Sequence, residues 1–219
     1  LLDNSESPIT ANASRLAIDG TTGLVQEAIL GCREGSCESQ KSIYLSGSLP
    51  SDVGAYDPIK KHIPVYMYPQ ALMTTTVTMY AKTILGWLEN PTGPQVMRMR
   101  SNYNEQGKSV PTLGYITWDE DSQQAIITTS MNVYLDAPGL APKILGLELD
   151  TNMHSLPLTI ELQGPVNFIE DGRMEISLSN TEIVDIDVVI ESFLGDSDVY
   201  LKIPKNALSI NLVSKMTKH

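Results

Sequence analysis

The sequence predicts an all-β fold, an antiparallel sandwich or barrel with long loops and little helix. Three observations carry that expectation. From about residue 41 onward, apolar and polar side chains alternate with a period of two rather than at helical spacing. Roughly a dozen such runs follow one another at short, regular intervals, as in sandwiches and barrels. Clusters of Gly, Pro, Asn and Asp separate the runs: "ENPTGP", "SNYNEQGKS", "DAPGLAP" and "EDGR".

Taken in order, "LLDNSESPITANA" reads as a lead-in segment (1–13), and 14–219 as a single β-rich globular domain. The chain starts at Leu1 without an initiator Met or a signal-like apolar stretch, so it reads as a piece of something longer. In "SRLAIDGTTGLVQEAILG", Gly20, Gly23 and the β-branched residues favour strands over helix. "KSIYLSGSL" sets Ile43 and Leu45 against Tyr44, and "PSDVGAYDPIK" reads as a long loop or a single helical turn. After the strand "HIPVYMYP", the run "TTTVTMYAKTILGW" alternates throughout and predicts one long, half-buried strand ending at Trp87. "PQVMRMRS" offers one apolar face with Met97 and Met99 and one basic face. "PTLGYITW" and "QQAIITTSMNVYLD" are expected to pair as an antiparallel hairpin. "PKILGLELD", "LPLTIELQG", "RMEISLS", "EIVDIDVVIES", "DVYLKIP" and "ALSINLVS" complete the series. In "EIVDIDVVIES", Val184, Ile186 and Val188 face inward, and Asp185 and Asp187 face water.

Composition narrows the function classes. With 26 acids against 15 Lys and Arg, the formal charge is −11, and the cations are too scattered for a phosphate-tracking stripe. Nucleic acid is therefore not expected as a partner. No run approaches the roughly 18 apolar residues of a membrane helix, so no membrane insertion is expected. The two cysteines, Cys32 and Cys37, fit either free thiols or a small local disulfide, and a zinc site lacks further ligands nearby.

Chemistry-bearing clusters are sparse. Asp119, Glu120 and Asp121 lie between two apolar strands, where a hairpin bend would leave them solvated. A catalytic pair would instead need one buried carboxyl. "GDSDVY" places Asp196 and Asp198 near Glu191, but lacks the spacing of a calcium loop. His62, His154 and His219 have no nucleophile elbow or metal motif around them. "NAS" at Asn12 is a weak glycosylation acceptor. No enzyme activity, metal or cofactor is expected.

What remains is recognition surface, with Tyr56, Tyr103, Asn104, Gln106, Lys108, Trp118 and Asp119 on loops of a rigid scaffold. The simpler expectation for Trp118, as for Trp87, is that it fills the core at a strand end. Over "IYLSGSLP" to "YITWDEDSQQAIITTSMNVYLDAPG" the chain resembles a viral capsid projection, the astrovirus capsid spike. That resemblance implies a homodimeric spike on the virion surface, attaching to a host-cell receptor or glycan and bound by antibodies. Tyr103, Asn104, Gln106, Lys108, Trp118 and Asp119 would then be the receptor-binding candidates. A second stretch, "TNMHSLPLTIELQGPVNF", resembles the lipid-facing sheets of large lipid transfer proteins such as vitellogenin, with Ser155 in place of the glycine of their "GLPL" phrase. It implies a sheet with one apolar face open to lipid.

Overall fold

A computed structural model describes the backbone of residues 2–10, 15–19, 25–30, 42–74, 78–83, 86–91, 93–139, 143–144, 147–148, 150–191, 197–203, 205–206 and 208–214. Side chains are described mainly within 47–73, 93–139, 150–189 and 208–214. The chain is all-β, with no helix among the described residues and every strand pairing antiparallel.

The strands begin with β1 (Leu2–Thr10), β2 (Arg15–Asp19), β3 (Val25–Leu30), β4 (Ser42–Leu49), β5 (Ser51–Val53), β6 (His62–Met67) and β7 (Ala71–Thr74). Next come β8 (Thr78–Thr83), β9 (Gly86–Pro91), β10 (Val96–Met99), β11 (Asn102–Tyr103), β12 (Ser109–Val110), β13 (Thr112–Asp119) and β14 (Gln124–Asp136). The last are β15 (Lys143–Ile144), β16 (Leu147–Glu148), β17 (Asp150–Thr151), β18 (Leu156–Phe168), β19 (Met174–Asn180), β20 (Val184–Glu191), β21 (Ser197–Ile203) and β22 (Ser209–Ser214).

Eleven strands form one curled sheet in the order β10-β7-β4-β1-β22-β19-β18-β14-β13-β6-β5. The curl brings β10 back onto β14, from Val96↔Asp136 to Met99↔Val133. Eight strands, from β10 round to β14, thereby close as a ring, which removes their free edges. Closure uses only the second half of β14. Along its first half, from Gln124 to Thr129, the same side of β14 is taken by β13. The strands β13, β6 and β5 therefore branch from the ring as a flap, and the wall flares open there.

A second sheet has the order β17-β20-β21-β2-β3-β8-β9. It is assembled mainly from three hairpins, β2–β3, β8–β9 and β20–β21, each inserted between two neighbouring ring strands. The corner from β19 to β20 is held by Asn180, which is fully buried. Its side-chain carbonyl accepts from the Leu208 N–H at 2.8 Å, and its amide donates to the Glu182 carbonyl at 2.7 Å. One side chain thus ties both limbs of that excursion.

Alternation explains the core. On β14, Ile127, Thr129, Met131 and Val133 are buried while Thr128 and Ser130 are exposed, because successive side chains leave opposite faces of a strand. Ile160, Leu162 and Val166 of β18, Met174, Ile176 and Leu178 of β19 and Ile210 and Leu212 of β22 line the same interior. Val184, Ile186 and Val188 of β20 join this cluster from the second sheet, with Asp185 and Asp187 turned to solvent as expected. Each such buried side chain contributes roughly 1.5–3 kcal/mol of hydrophobic stabilisation.

Two elements differ from the sequence expectation. "TTTVTMYAKTILGW" is not one strand: β8 folds back on β9 through Thr83↔Gly86, and Gly86 marks the reversal that alternation alone does not register. Residues 50–60 take the loop expected as one alternative, but open with the short strand β5, which was not expected. Within the lead-in segment, Leu2–Thr10 is a sheet strand, paired with β4 and β22. Cys32, Cys37, Asn12, Asp196 and His219 lie outside the described residues, as do the side chains of Trp87, Glu191 and Asp198.

Candidate functional site

The β13–β14 hairpin ends at the pair Asp119↔Gln124. Its turn carries the acids. The Ser122 hydroxyl donates to the Asp119 carboxylate, and the Asp121 N–H donates to it at 3.3 Å. These bonds hold the Asp119 carboxyl below its usual pKa, the Ser122 hydroxyl contributing most. Glu120 and Asp121 are exposed, and the turn closes with Gln123 at a φ of 53°. An ionised, wet carboxylate is unsuited to the proton transfers that need a raised pKa. The acid run is the tip of a hairpin.

Within loop 101–109, residues 104–108 form the turn between β11 and β12. Asn104 accepts at Oδ1 from the Gln106 N–H (3.1 Å) and the Lys108 N–H (2.9 Å), while Gly107 supplies a φ of 73°. Tyr103, Asn104, Gln106 and Lys108 are all exposed on it. This hairpin precedes Thr112, the first residue of β13, whereas Trp118 and Asp119 end that strand. At about 3.3 Å per residue the two groups are some 20 Å apart along β13. The six candidates therefore occupy two separate places.

Where the wall flares, the inner face of the sheet runs on past the part the core covers. Ile63 of β6 pairs with Ile116 of β13, Ile116 with Ile127 of β14, Trp118 with Ala125, and Ala125 with Val166 of β18. Ile116, Ile127 and Val166 are buried. Trp118 and Phe168 continue the same inward parity, yet they are 56% and 64% exposed. They wall an open depression of about 780 Å³, lined also by Tyr56, Ile63, Ala125 and, at its mouth, Lys61, Glu120, Gln124 and Asn167. That volume lies in the range of roughly 300–1,000 Å³ common for small-molecule sites. Trp118 therefore does not fill the core; the chain ends its coverage one residue pair too soon. Lys61 and Phe168 were not singled out in the sequence, and only the parity of Phe168 with Leu162 and Val166 signalled it.

Other polar groups have structural partners. Arg98 Nε donates to Asp136 Oδ2 at 2.6 Å, and the Ser155 N–H donates to Asp136 Oδ1 at 2.8 Å. The guanidiniums of Arg98 and Arg100 both lie over the Tyr134 ring, 5.4 and 4.9 Å from its centre. The His62 ring packs on Tyr115 at 4.6 Å, and His154 stands 3.9 Å from Asp150. Among the described residues no group of three or more His, Cys, Asp or Glu is placed to hold a metal. Among them, too, no helix is long and apolar enough to cross a membrane, which says nothing of crossing by strands.

No family model matches the chain. No solved structure matches it. Alkane uptake protein B of Marinobacter nauticus is 32% identical over 231 residues, 95% of this chain and 21% of that protein. The chain thus spans about a fifth of the length of the curated relative it matches. This finding overturns the expected viral capsid spike, with its host-cell attachment function and its place on the virion surface: nearly the whole chain aligns with part of a bacterial protein named for alkane uptake. The resemblance to a spike rests on polar loops on a β scaffold. Any sheet needs such turns, so they do not discriminate among β modules.

Proposed function

We propose that this chain is a non-enzymatic module that receives the alkyl chain of a hydrocarbon in the depression at the open end of its curled sheet. The observation that supports it is the run of inward-facing apolar side chains that continues from Ile116 and Val166 to the exposed Trp118 and Phe168. Two large rings left wet on an inner face lose hydrophobic stabilisation that a ligand would restore. Each methylene of an alkyl chain covered there gains about 0.8 kcal/mol, without requiring any polar partner. The name of the Marinobacter nauticus relative is consistent with such a cargo.

The test is an equilibrium one. Protein is placed over a film of radiolabelled n-hexadecane, and label dissolved in the aqueous phase is compared with buffer alone. The wild-type chain is expected to raise dissolved label in proportion to protein, and Trp118→Ala/Phe168→Ala to lose most of that increase. Circular dichroism should be unchanged in the double variant, since both rings are exposed. Equal uptake by the two proteins, or none by either, removes the reading.

A further inference from the structure

Of the described residues lining the depression, only Lys61 and Glu120 are charged. Glu120 belongs to the solvated acid turn described above. Lys61 comes from the turn that precedes β6. It holds a φ of 55°, a left-handed conformation in which glycine or asparagine is the ordinary occupant.

The turn that places it is firmly built. The Asp57 carboxylate accepts from the N–H groups of Ile59 (2.9 Å) and Lys60 (3.1 Å), and the Asp57 N–H donates to the His62 carbonyl at 2.8 Å. Asp57 is thus occupied by backbone, and among the described residues Lys61 has no ion-pair partner. Lys61 immediately precedes β6 and lines the depression. A lysine in that place can lay its methylenes along apolar wall while its ammonium stays at the water-facing mouth. Gln124 and Asn167 also border the depression, but by strand alternation their side chains leave the face opposite to Ala125, Val166 and Phe168.

We infer that the depression selects an amphiphile, a single long alkyl chain ending in a carboxylate, with Lys61 as the head-group residue. The inference rests on the hydrocarbon reading above and adds polarity to it. The apolar wall takes the tail and tolerates any alkyl chain. The cation of Lys61 favours an anionic end over a neutral or cationic one. Because the mouth is open to water, that preference is modest, of the size of an exposed ion pair.

Affinities are measured by calorimetry on the wild-type chain, Lys61→Met and Lys61→Arg, for hexadecanoate and hexadecyltrimethylammonium below their micellar concentrations and for methyl hexadecanoate below its solubility limit. Hexadecanoate is expected to bind the wild-type chain about three- to fivefold tighter than its methyl ester. Lys61→Met should bring that ratio near one, and Lys61→Arg should keep it. A wild-type ratio of one, or a ratio that survives in Lys61→Met, overturns the carboxylate preference while n-hexadecane uptake stands. Absent binding of hexadecanoate overturns it outright. Loss of n-hexadecane uptake with hexadecanoate still bound through Lys61 removes the hydrocarbon reading and keeps the carboxylate site.

Discussion

Ser155 sits at a φ of 58°, where a β-carbon crowds the backbone. It is kept there by Asp136, which accepts from its N–H, and by Arg98, which donates to its hydroxyl at 2.8 Å. Ser155→Gly and Ser155→Ala lose the same hydroxyl, so their difference isolates the backbone. Urea unfolding should find the glycine variant more stable by roughly 0.5–1 kcal/mol, although elsewhere alanine is the more stabilising of the two. Asp136 gives a pH prediction. The Arg98 hydrogen bonds, joined by the Ser155 N–H, hold its carboxyl below the ordinary value of 3.8. A depressed folded pKa contributes stability that is complete above the unfolded value and lost as pH falls through the folded one. Asp136→Asn should therefore be less stable at neutral pH and lose less on acidification below about pH 4, as read by thermal melts across pH. The sequence expectation put Trp118 in the core at a strand end, but sequence has no local mark for where a core stops covering its own sheet. The lysine at 61 was equally silent, because a positive φ follows from the turn around it.

Gly164 shows how an element depends on one missing side chain. The β18–β19 ladder lapses between Gln163↔Ser179 and Val166↔Ile176, at Gly164-Pro165, where proline lacks an N–H to donate. A β-carbon on Gly164 would lie 1.6 Å from the Ser177 carbonyl oxygen, so backbone must move to admit it. Gly164→Ala is expected to cost about 2–4 kcal/mol, measured by denaturant midpoint. Asn180→Ala leaves the Leu208 N–H unpaired in the interior and should cost about 1–3 kcal/mol, whereas a surface amide such as Asn104 has water to replace its partners. At this scale the sequence was informative. The β13–β14 hairpin, the two faces of β20 and the Met face of β10 followed from period-two alternation, because each strand buries only one side. The β8–β9 reversal did not follow, since alternation has the same appearance on both limbs of a hairpin. Likewise, the closure of β10 on β14 joins residues far apart in sequence and leaves no local pattern.

The division of β14 between two partners shapes the whole molecule. Its second half is clamped by β10 on one side and β18 on the other, within a closed ring. Its first half shares its outer side with β13, behind which, among the described residues, lie only β6 and the three-residue edge strand β5. Strands in the ring can exchange amide protons only by breaking a closed ladder. The flap can open from its free edge, and each strand nearer that edge has less to break. Hydrogen exchange should therefore be fastest in β5 and β6, intermediate in β13, and slowest in β18, β19 and the second half of β14. The depression lies between the flap, which supplies Ile63, Ile116 and Trp118, and the ring, which supplies Ala125, Val166 and Phe168. A ligand bridging the two must be released before the flap can open, so it adds RT ln(1 + [L]/Kd) to the opening free energy, about 2.7 kcal/mol at a hundredfold excess over Kd. Saturation with hexadecanoate should slow exchange in β6 and β13 by up to about a hundredfold and leave β19 and β22 unaffected. Uniform slowing across all strands would mean that the ligand stabilises the whole fold and not the flap, and slowing confined to β11 and β12 would move the site to the other end of β13.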